Sequence, residues 1–579
     1  MNGINVMKTK RITGTPSDIL VEQLVASGVK YVFYNSGSRE ALFFDALNNN
    51  PNINGILALH EGTVASMAGA YTQVNAEPAV MVVHLGAGLA QCMGQLYNIW
   101  FGALPVVVIT FAGDTGSYTD RINLDLDASF GPTSISTPMC KETWAVIEPE
   151  GLPNAVDRAL RVATTPPFGP VHIAVYDKML GNQQVTAEII DSGSRKIRSG
   201  FASDDDLQRI VTALDEAENP LLYVGDGIWK SGGSELASEF ASHFGVPIAS
   251  PETDLRGITL KHPHHMGMFN SAINEVDPDV IVSIGTRHQG SGKKEDIDSL
   301  KDVKHVHAIG SGLEYIKNYP GLSTAIIADE SDSLSRMLDI ARSDYKADRY
   351  ENRRSQTLKS ASGSRENRRT SLMGSPIPNK VRPAVLVDTI DEVLENIGGG
   401  FITNEQFAAP YDSVKFGLSE RNNTFLKGAG GSEGWGVGAA IGAKLAADKS
   451  PVIGLVGDGS LYYADSGLWT AVHHNIPLLY VISNNEAYGI VAGAFGRSGG
   501  TMSDTGVYEG VVLDGIDPVK IADAFGLEAE TVENEDSIQE TFDRALTIVQ
   551  EEKRPYLLDV RLPLGLPEGG SGNQTFKMR

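Results

Sequence analysis

Short apolar runs that alternate with helical patterns constrain the fold of this chain more than any other feature. Ala79–His84, Pro105–Phe111, Val171–Tyr176 and Pro451–Val456 are apolar along nearly their whole length. A strand without polar alternation is buried on both faces, which is typical of a parallel sheet covered by helices on both sides. The sequence therefore predicts an α/β protein. With 579 residues and about 100–200 residues to a domain, we expect several domains.

The α/β pattern falls into three segments of similar size, each expected to be a doubly wound parallel sheet. The predicted organisation is an N-terminal domain at 12–185, a middle domain at 204–342, a linker at 343–383, a C-terminal domain at 384–563 and a tail at 564–579. The linker is rich in Arg, Ser and Asn, so we expect an exposed connection that is helical in part; a docking segment for a partner is the alternative. The tail is expected to be mobile.

Composition excludes several classes of protein. The net charge of −24 opposes binding to a nucleic-acid backbone. Two cysteines, Cys92 and Cys140, do not make a disulfide framework, which favours a reducing compartment. The sequence contains neither a signal-peptide pattern nor an apolar run long enough to span a bilayer. We therefore expect a cytoplasmic enzyme without a nucleic-acid or membrane partner.

The most specific motif lies in the third segment. A strand ends in Gly457-Asp458-Gly459-Ser460, and after one helix the next strand ends at Asn484-Asn485. Glycines let the backbone approach a ligand closely, and Ser460 is expected to open a helix whose free N–H groups suit a phosphate. Oxygens of Asp458 and Asn485 can converge on one hard cation, since Mg²⁺ favours carboxylate and phosphate ligands. The pattern indicates Mg²⁺ bridging a diphosphate at the carboxyl edge of a sheet.

This pattern resembles the signature of enzymes that depend on thiamine diphosphate (ThDP). The resemblance implies pyrimidine-binding, middle and diphosphate-binding domains, with ThDP and Mg²⁺ as cofactors. It implies side-chain ligation of Mg²⁺ by Asp458 and Asn485 and backbone ligation by Ala487. The other cofactor-binding positions that it implies are Asn35, Gln91, Gly431, Glu433, Gly457, Gly459, Ser460 and Tyr488.

Glu61 matches the activating carboxylate of this family. It follows His60 at the start of a helix rich in small residues, and the alternative is an ordinary first-turn acid stabilised by the helix dipole. By the resemblance, Glu61 binds the pyrimidine ring and works through the cofactor in general acid–base catalysis. In the family this glutamate and the metal site come from different subunits, which implies a homodimer at minimum and commonly a homotetramer.

Within the family the chain is most similar to benzoylformate decarboxylase-like enzymes, over nearly all of its length except the linker. Ser38 matches the serine that holds the substrate carboxylate, and His84 and His288 match the two histidines that move protons. Histidine suits this role because its pKa lies near neutrality. The alternatives are a helix cap for Ser38, a strand-end residue for His84 and a surface-loop residue for His288.

Three features depart from that pattern. Glu433 occupies the position where the family has a bulky apolar residue beneath the cofactor, and Trp435 is a neighbour that could replace that wedge. Phe407 and Ala408 stand in place of hydroxyl residues near the diphosphate. The expected substrate pocket is lined by Ile490, Val491 and Ala494, and Arg497 is expected to be solvated.

The predicted activity is a ThDP- and Mg²⁺-dependent carbon–carbon lyase acting on a 2-oxo acid or ketone, by decarboxylation to an aldehyde and with carboligation as a further outcome. The alternatives are an acetolactate-synthase-like carboligase, which would often carry FAD, and a non-catalytic ThDP-binding relative; we expect no flavin. Two histidine groups, His473-His474 and His262-Pro263-His264-His265, are interpreted as structural and as a loop, because neither has the spacing of a metal site.

Overall fold

The computed structural model describes residues 9–112, 126, 129–176, 181–191, 197–251, 256–287, 298–408 and 424–564. The strands within these ranges are β1 Thr9–Gly14, β2 Tyr31–Tyr34, β3 Asn54–Leu57, β4 Ala79–His84, β5 Val106–Ala112, β6 Glu142–Val146, β7 Val171–Tyr176, β8 Val185–Ile190, β9 Pro220–Val224, β10 Ile248–Ser250, β11 His265–Met268, β12 Val280–Ile284, β13 His305–Gly310, β14 Thr324–Ile327, β15 Phe401–Glu405, β16 Thr424–Lys427, β17 Val452–Gly457, β18 Leu479–Asn484, β19 Ala529–Val532 and β20 Tyr556–Arg561.

The α-helices within the same ranges are α1 Pro16–Ala26, α2 Ala41–Asn49, α3 Glu61–Asn75, α4 Leu85–Phe101, α5 Leu152–Thr164, α6 Asp204–Glu216, α7 Asp226–Ser231, α8 Ser234–Phe244, α9 Phe269–Val276, α10 Glu330–Asp344, α11 Glu351–Met373, α12 Pro383–Asn396, α13 Gly436–Ala447, α14 Asp458–Ala464, α15 Gly467–His473, α16 Gly489–Ser498, α17 Thr501–Thr505, α18 Pro518–Ala524 and α19 Ile538–Thr547. In this part of the chain no helix combines the length and the hydropathy that crossing a bilayer requires.

Three six-stranded sheets form the framework, and the prediction of three doubly wound parallel sheets is confirmed. Their strand orders are β3-β2-β4-β5-β7-β6, β11-β10-β9-β12-β13-β14 and β16-β15-β17-β18-β20-β19. Every strand pairing in these sheets is parallel. β1 and β8 form a separate antiparallel pair.

In each sheet the first strand along the chain lies inside the sheet. The chain first adds to one side of this strand and then reverses to add strands on the other side. These reversal points lie between β2 and β4, between β9 and β12, and between β15 and β17. Loops at such a point diverge to opposite faces and leave a crevice beyond the carboxyl ends of the strands, where α/β proteins bind ligands. The fold therefore provides three candidate crevices, one in each sheet.

The first and third sheets are joined through helices α3 and α13, which approach at backbone distance. A Cβ on Gly438 would overlap the Ser66 hydroxyl, and one on Gly442 would overlap the Met67 carbonyl. The indole of Trp435 packs over Gly69 on the same side, and apolar residues of both helices belong to one continuous core. Glycine is required at these helical positions because any side chain would force the two helices apart.

The structure corrects one local expectation. The single helix expected after Gly457 is two helices, α14 and α15, separated at Asp465–Ser466, and Gly467 begins the second one.

The polar stretch before the C-terminal domain contains the 23-residue helix α11. Arginines on this helix bind the middle domain: Arg353 donates to the Leu214 and Ala217 carbonyls, and Arg354 donates to those of Ser242 and His243. Farther along α11, Arg369 pairs with Asp388 on α12. The helix therefore packs against the middle domain at one end and against the C-terminal domain at the other.

The histidine run near residue 264 is also more ordered than the expected loop, because His265 begins β11 and all three histidines are buried. His265 Nε2 lies 2.9 Å from the Ser250 hydroxyl, and His264 Nδ1 lies 3.2 Å from the Val246 carbonyl oxygen. Burial lowers the pKa of His262 to about 4, so its ring is neutral at pH 7. The hydrogen bonds that the run makes with Ser250 and Val246 give it a structural role. Among the described residues no cluster of three potential metal ligands occurs.

The α3–α13 contact yields a stability prediction. Gly442→Ala should lower the free energy of unfolding by about 1–3 kcal/mol, the usual cost of overpacking, because the new methyl group meets the Met67 backbone. The matched control is Gly363→Ala in α11, where no atom lies within 4 Å of the new Cβ, and which should gain up to about 1 kcal/mol from helix propensity. Urea denaturation followed by circular dichroism measures both; equal stability of the two variants would contradict the packing argument.

Candidate active site

The reversal point of the third sheet holds a cavity that brings together most of the residues singled out in the third segment. This Asp458 cavity has a volume of about 160 Å³. It is lined by Gln406, Phe407, Ala408, Glu433, Gly457, Asp458, Gly459, Ser460, Tyr463, Ser483, Asn485, Ala487, Tyr488, Gly489, Ile490 and Val491. Ends of three neighbouring strands, β15, β17 and β18, therefore contribute to one site.

Among the residues that line this cavity, Asp458 gives the clearest indication that the cavity binds a ligand. Its side chain is 2 % exposed, and its Oδ2 atom is buried without a hydrogen-bond partner among the described residues. Burial raises the pKa of Asp458 to about 7, against the opposing effect of the Gly459 and Glu486 backbone N–H groups. A buried carboxylate oxygen without a partner is costly, and a divalent cation would satisfy it.

Asn485 and Ala487 follow the neighbouring strand and are likewise buried. Between them Glu486 adopts a left-handed backbone conformation with φ of 55°, which is uncommon for a residue other than glycine. Two backbone hydrogen bonds to the segment around Val511–Leu513 hold this turn in place. The Tyr488 N–H donates to the Val511 carbonyl at 2.7 Å, and the Leu513 N–H donates to the Glu486 carbonyl at 2.8 Å. Carboxylate, amide and carbonyl oxygens at one cavity are the donor set that Mg²⁺ accepts.

Gly459 is required by the shape of this site. A Cβ on Gly459 would lie 2.6 Å from the ring of Tyr488, so any side chain would displace the tyrosine. Helix α14 begins at Asp458 with Gly457 as its N-cap. Ser460 therefore lies within the first turn of that helix instead of opening it.

Glu433 lies at the edge of the Asp458 cavity and also lines a smaller neighbouring one. The Ser460 hydroxyl donates to its Oε2 atom at 2.8 Å. The smaller cavity, the Gly431 cavity, is lined by Asn98, Asn404, Glu405, Gln406, Phe407, Lys427, Gly428, Gly431, Ser432, Glu433 and Trp435. Trp435 is 2 % exposed and packs over Gly69 and Gly428. Its ring therefore lies in the contact between the first and third domains.

The reversal point of the first sheet gathers a second group of side chains. His84 ends β4, and its Nδ1 atom lies 2.7 Å from Oε1 of Glu40, which is fully buried. Gly37 packs against the His84 ring. Ser38 is the first residue of a short 3-10 helix at Ser38–Glu40, whose N-cap is Gly37. Asn35 donates to the Ala58 carbonyl at 2.9 Å.

Glu40 is a site residue that the sequence analysis did not identify. Its only sequence signal is its place three residues after Gly37, in the loop that follows β2. By accepting the proton of His84 Nδ1, Glu40 fixes the ring orientation and directs Nε2 away from the carboxylate. A histidine held in this way can exchange a proton at one defined nitrogen.

Glu61 is the first residue of α3 and is 8 % exposed. Its carboxylate lies against Gly88 of α4, where an added Cβ would come within 2.9 Å of Oε1. Glu61 also lies close enough to Cys92 to raise the pKa of that thiol, which burial raises more strongly. Both of these neighbours belong to its own domain.

The remaining predicted positions are more dispersed. Ile490 and Val491 line the Asp458 cavity, whereas Ala494 is an exposed residue farther along α16. Gln91 is exposed on α4. His288 lies outside the described residues, as does the side chain of Arg497. His474 has a structural role, because its Nε2 atom accepts from the Leu57 N–H at 2.9 Å.

A larger cavity of about 680 Å³ lies between the first and middle domains. Its buried acid Glu330 already accepts a hydrogen bond from the Ser311 N–H at 2.8 Å, and burial raises its pKa to about 7. It lacks the convergence of metal-ligand types and glycine turns seen around Asp458. We therefore place the chemistry at the smaller cavity.

Comparison with protein families gives three matches that together cover more than half of the chain. Residues 15–126 match the thiamine pyrophosphate enzyme N-terminal TPP-binding domain, residues 207–337 match the central domain and residues 408–560 match the C-terminal TPP-binding domain. The last match contains Asp458, Asn485 and Glu433, and the first contains Glu61 and His84.

Curated relatives include both decarboxylases and synthases. Benzoylformate decarboxylase of Pseudomonas aeruginosa is 25 % identical over 558 residues, which are 93 % of this chain and 97 % of that protein. The acetolactate synthase large subunit of Lactococcus lactis is 25 % identical over 493 residues, which are 82 % of this chain and 81 % of that protein.

Solved structures share the fold. The thiamine diphosphate-dependent 4-hydroxybenzoylformate decarboxylase of Rhodococcus jostii RHA1 superposes with a TM-score of 0.78 at 23 % identity, covering 95 % of this chain and 99 % of its own. Benzoylformate decarboxylase from Polynucleobacter necessarius gives a TM-score of 0.79 at 21 % identity, covering 96 % of this chain and 99 % of its own.

The Glu40–His84 pair leads to a prediction about turnover. Glu40→Ala should lower kcat about a hundredfold, because His84 loses the acceptor that orients it. Glu40→Gln retains an acceptor oxygen and should lower kcat by only about tenfold. Steady-state kinetics with any accepted substrate measures both, and Glu142→Gln, in an exposed ion pair with Arg158, is the control that should leave kcat unchanged. Equal effects of Glu40→Ala and Glu40→Gln would refute the orienting role.

Proposed function

Because the chain belongs to the family of thiamine pyrophosphate enzymes, we propose that it is a Mg²⁺-dependent carbon–carbon lyase that decarboxylates a 2-oxo acid to an aldehyde. The family and the curated relatives identify the chain as a ThDP-dependent enzyme of the decarboxylase and acetolactate synthase type. The observation that carries the proposed Mg²⁺ dependence is the Oδ2 atom of Asp458, which is buried without a hydrogen-bond partner among the described residues, in a cavity shared with Asn485 and Ala487. The proposed decarboxylation is supported by the similarity to benzoylformate decarboxylase over 93 % of the chain.

The residues present suit both cofactors. Asp458 and Asn485 side chains and the Ala487 carbonyl would hold Mg²⁺, and the glycines at 457 and 459 leave room for phosphates beside it. Glu61 would hydrogen-bond the pyrimidine N1′ and share its proton with that nitrogen. When bound, ThDP supplies the nucleophilic carbon that attacks the substrate carbonyl.

The side chains of the first domain would act on the substrate. Ser38, exposed at the loop after β2, would orient the substrate carboxylate by a neutral hydrogen bond. His84, oriented by Glu40, would move a proton at Nε2. His288 of the middle domain is proposed as a second proton-transfer residue. Ile490 and Val491 would form the apolar wall of the substrate pocket.

An acetolactate-synthase-like carboligase is the second candidate, since the Lactococcus lactis relative is as similar as the decarboxylase. Members of that class often carry FAD in the middle domain. We propose an enzyme without flavin, so the purified protein is expected to show no visible flavin absorption.

Assay of the apo-protein with ThDP, Mg²⁺ and a panel of 2-oxo acids distinguishes the candidates. Release of CO₂ with an aldehyde as product supports the decarboxylase. A hydroxyketone as the main product supports the carboligase. Absence of turnover with the whole panel, although ThDP binds, supports a non-catalytic relative.

The metal site gives a binding prediction. Asp458→Asn should weaken ThDP binding in magnesium buffer by at least about a hundredfold, because it removes the charged ligand of the cation. Isothermal titration calorimetry measures the dissociation constant. Asp465→Asn, on the turn after α14 and outside the cavity, is the control. Undiminished affinity of the Asp458→Asn protein would exclude this residue as a ligand.

The proposed sharing of each site between two chains can be tested by mixing inactive variants. Glu61→Gln and Asp458→Asn should each be nearly inactive. In mixed dimers one of the two sites combines the intact Glu61 of one chain with the intact Asp458 of the other, so random reassembly should restore about a quarter of wild-type activity. Measuring CO₂ release after mixing, unfolding and refolding checks this, with each variant refolded alone as control. A mixture as inactive as its components would place both residues in a single-chain site.

A further inference from the structure

We infer that Glu433 is a positioning residue that places a fixed negative charge beside the thiazolium ring of the bound cofactor, so that this site favours a cationic ring over a neutral one. The inference rests on the proposed function, since it concerns how the same site holds ThDP. It assigns a role to the acid that stands where an apolar wedge is expected.

The position of Glu433 between two cavities is the first observation. The Asp458 cavity and the Gly431 cavity share three lining residues, Gln406, Phe407 and Glu433. Glu433 therefore lies where the two cavities meet. A ligand that reaches from the metal-binding end into the Gly431 cavity must pass the Glu433 carboxylate.

The second observation is that Glu433 is held in place from both ends. The Ser460 hydroxyl donates to its carboxylate at 2.8 Å, and the Gln95 amide donates to its backbone carbonyl at 2.6 Å. Gln95 is held in turn by Asn98, which donates to its Oε1 atom at 2.7 Å and to the Ser432 carbonyl at 2.8 Å. Helix α4 of the first domain thus fixes the backbone of the loop, and the carboxylate cannot swing into solvent without losing its hydrogen bond from Ser460.

The third observation concerns charge. The described lining of the Asp458 cavity contains the acids Glu433 and Asp458 and no Lys, Arg or His. Asp458 would pair with the divalent cation, which leaves Glu433 without a cationic side chain in that lining. The buried Glu405 does not offset it, because its carboxyl group carries a negative charge or none. The Gly431 cavity, which Glu433 also lines, contains Lys427. On the side of the Asp458 cavity, a cationic thiazolium ring next to Glu433 would supply the positive charge that the side chains of this lining lack.

A purely steric wedge makes a different prediction. If Glu433 only filled space between the two rings, its charge would not matter, and any change of side chain would affect cationic and neutral ligands of the same shape alike. A ratio of affinities for two such ligands therefore separates an electrostatic role from a steric or structural one.

The experiment uses full-length protein in magnesium buffer and isothermal titration calorimetry with two ligands, ThDP and 3-deazathiamine diphosphate, whose central ring is neutral. The proteins are the wild type, Glu433→Gln, which retains the shape, and Glu433→Leu, which restores an apolar side chain. Both variants should shift the ratio of dissociation constants toward the neutral ligand by roughly tenfold or more, because opposite unit charges a few ångströms apart interact by more than one decade of affinity. Asp465→Asn is the control and should leave the ratio unchanged.

The experiment distinguishes failure of the inference about Glu433 from failure of the proposed function. Binding of both ligands with the same ratio in all four proteins would overturn the role of Glu433 and leave the proposed function intact. Failure of the wild type to bind either ligand would overturn the proposed function itself. Parallel weakening of both ligands in Glu433→Gln and Glu433→Leu would identify a structural residue and overturn the inference as well.

Discussion

The backbone contact between α3 and α13 determines where the functional groups of this protein lie. Helix α3 begins at Glu61, and α13 follows directly on the loop that contains Glu433. Since Gly438 and Gly442 allow α13 to touch the backbone of α3, the two helices have one possible separation. Close-packed interiors transmit strain, so a displacement of α3 would be transmitted to the loop through α13. The hydrogen bonds from Gln95 and Asn98 to that loop add a second fixed connection.

Electrostatics at the candidate site depend on the same rigidity. Asp458 and Glu405 are acids withdrawn from water, and burial raises the pKa of each, to about 7 and about 8, with Glu433 contributing to the rise at Glu405. Backbone N–H groups offset part of this cost, as when the Trp435 and Gly436 N–H groups donate to Glu405. In a chain of net charge −24, such a concentration of acids is stable only where cations or protons complete it. Protons or a cation must therefore balance the buried acids of the candidate site.

The sequence predicted the parts of the site that depend on strand ends. Buried apolar runs locate β17 and β18, and residues directly after them must lie at one edge of the sheet, which is why Asp458 and Asn485 could be placed together in advance. The positions of Ala487, Ile490, Val491 and Ala494 came from the family resemblance; the first three line the Asp458 cavity, and Ala494 is exposed farther along α16.

Contacts between residues far apart in the chain could not be predicted in this way. Glu40 and His84 meet only because β2 and β4 are adjacent in the sheet, and Ser460 reaches Glu433 across two elements. The break between α14 and α15 leaves no clear signal in composition, since Asp465 and Ser466 are tolerated in helices. The buried histidines near residue 264 were assigned to a loop because their partners, such as Ser250, come from a neighbouring strand.

Helix α11 has a consequence for the architecture of the middle domain. The carbonyl groups to which Arg353 and Arg354 donate are those at the carboxyl ends of α6 and α8, where a helix leaves its last acceptors unsatisfied and its dipole attracts a cation. Helix α11, which follows the middle domain in the chain, thus provides the C-caps of the middle-domain helices α6 and α8. Cleavage of the chain between α10 and α11 would remove those caps, so the middle domain gains part of its stability from residues beyond its own α/β repeat.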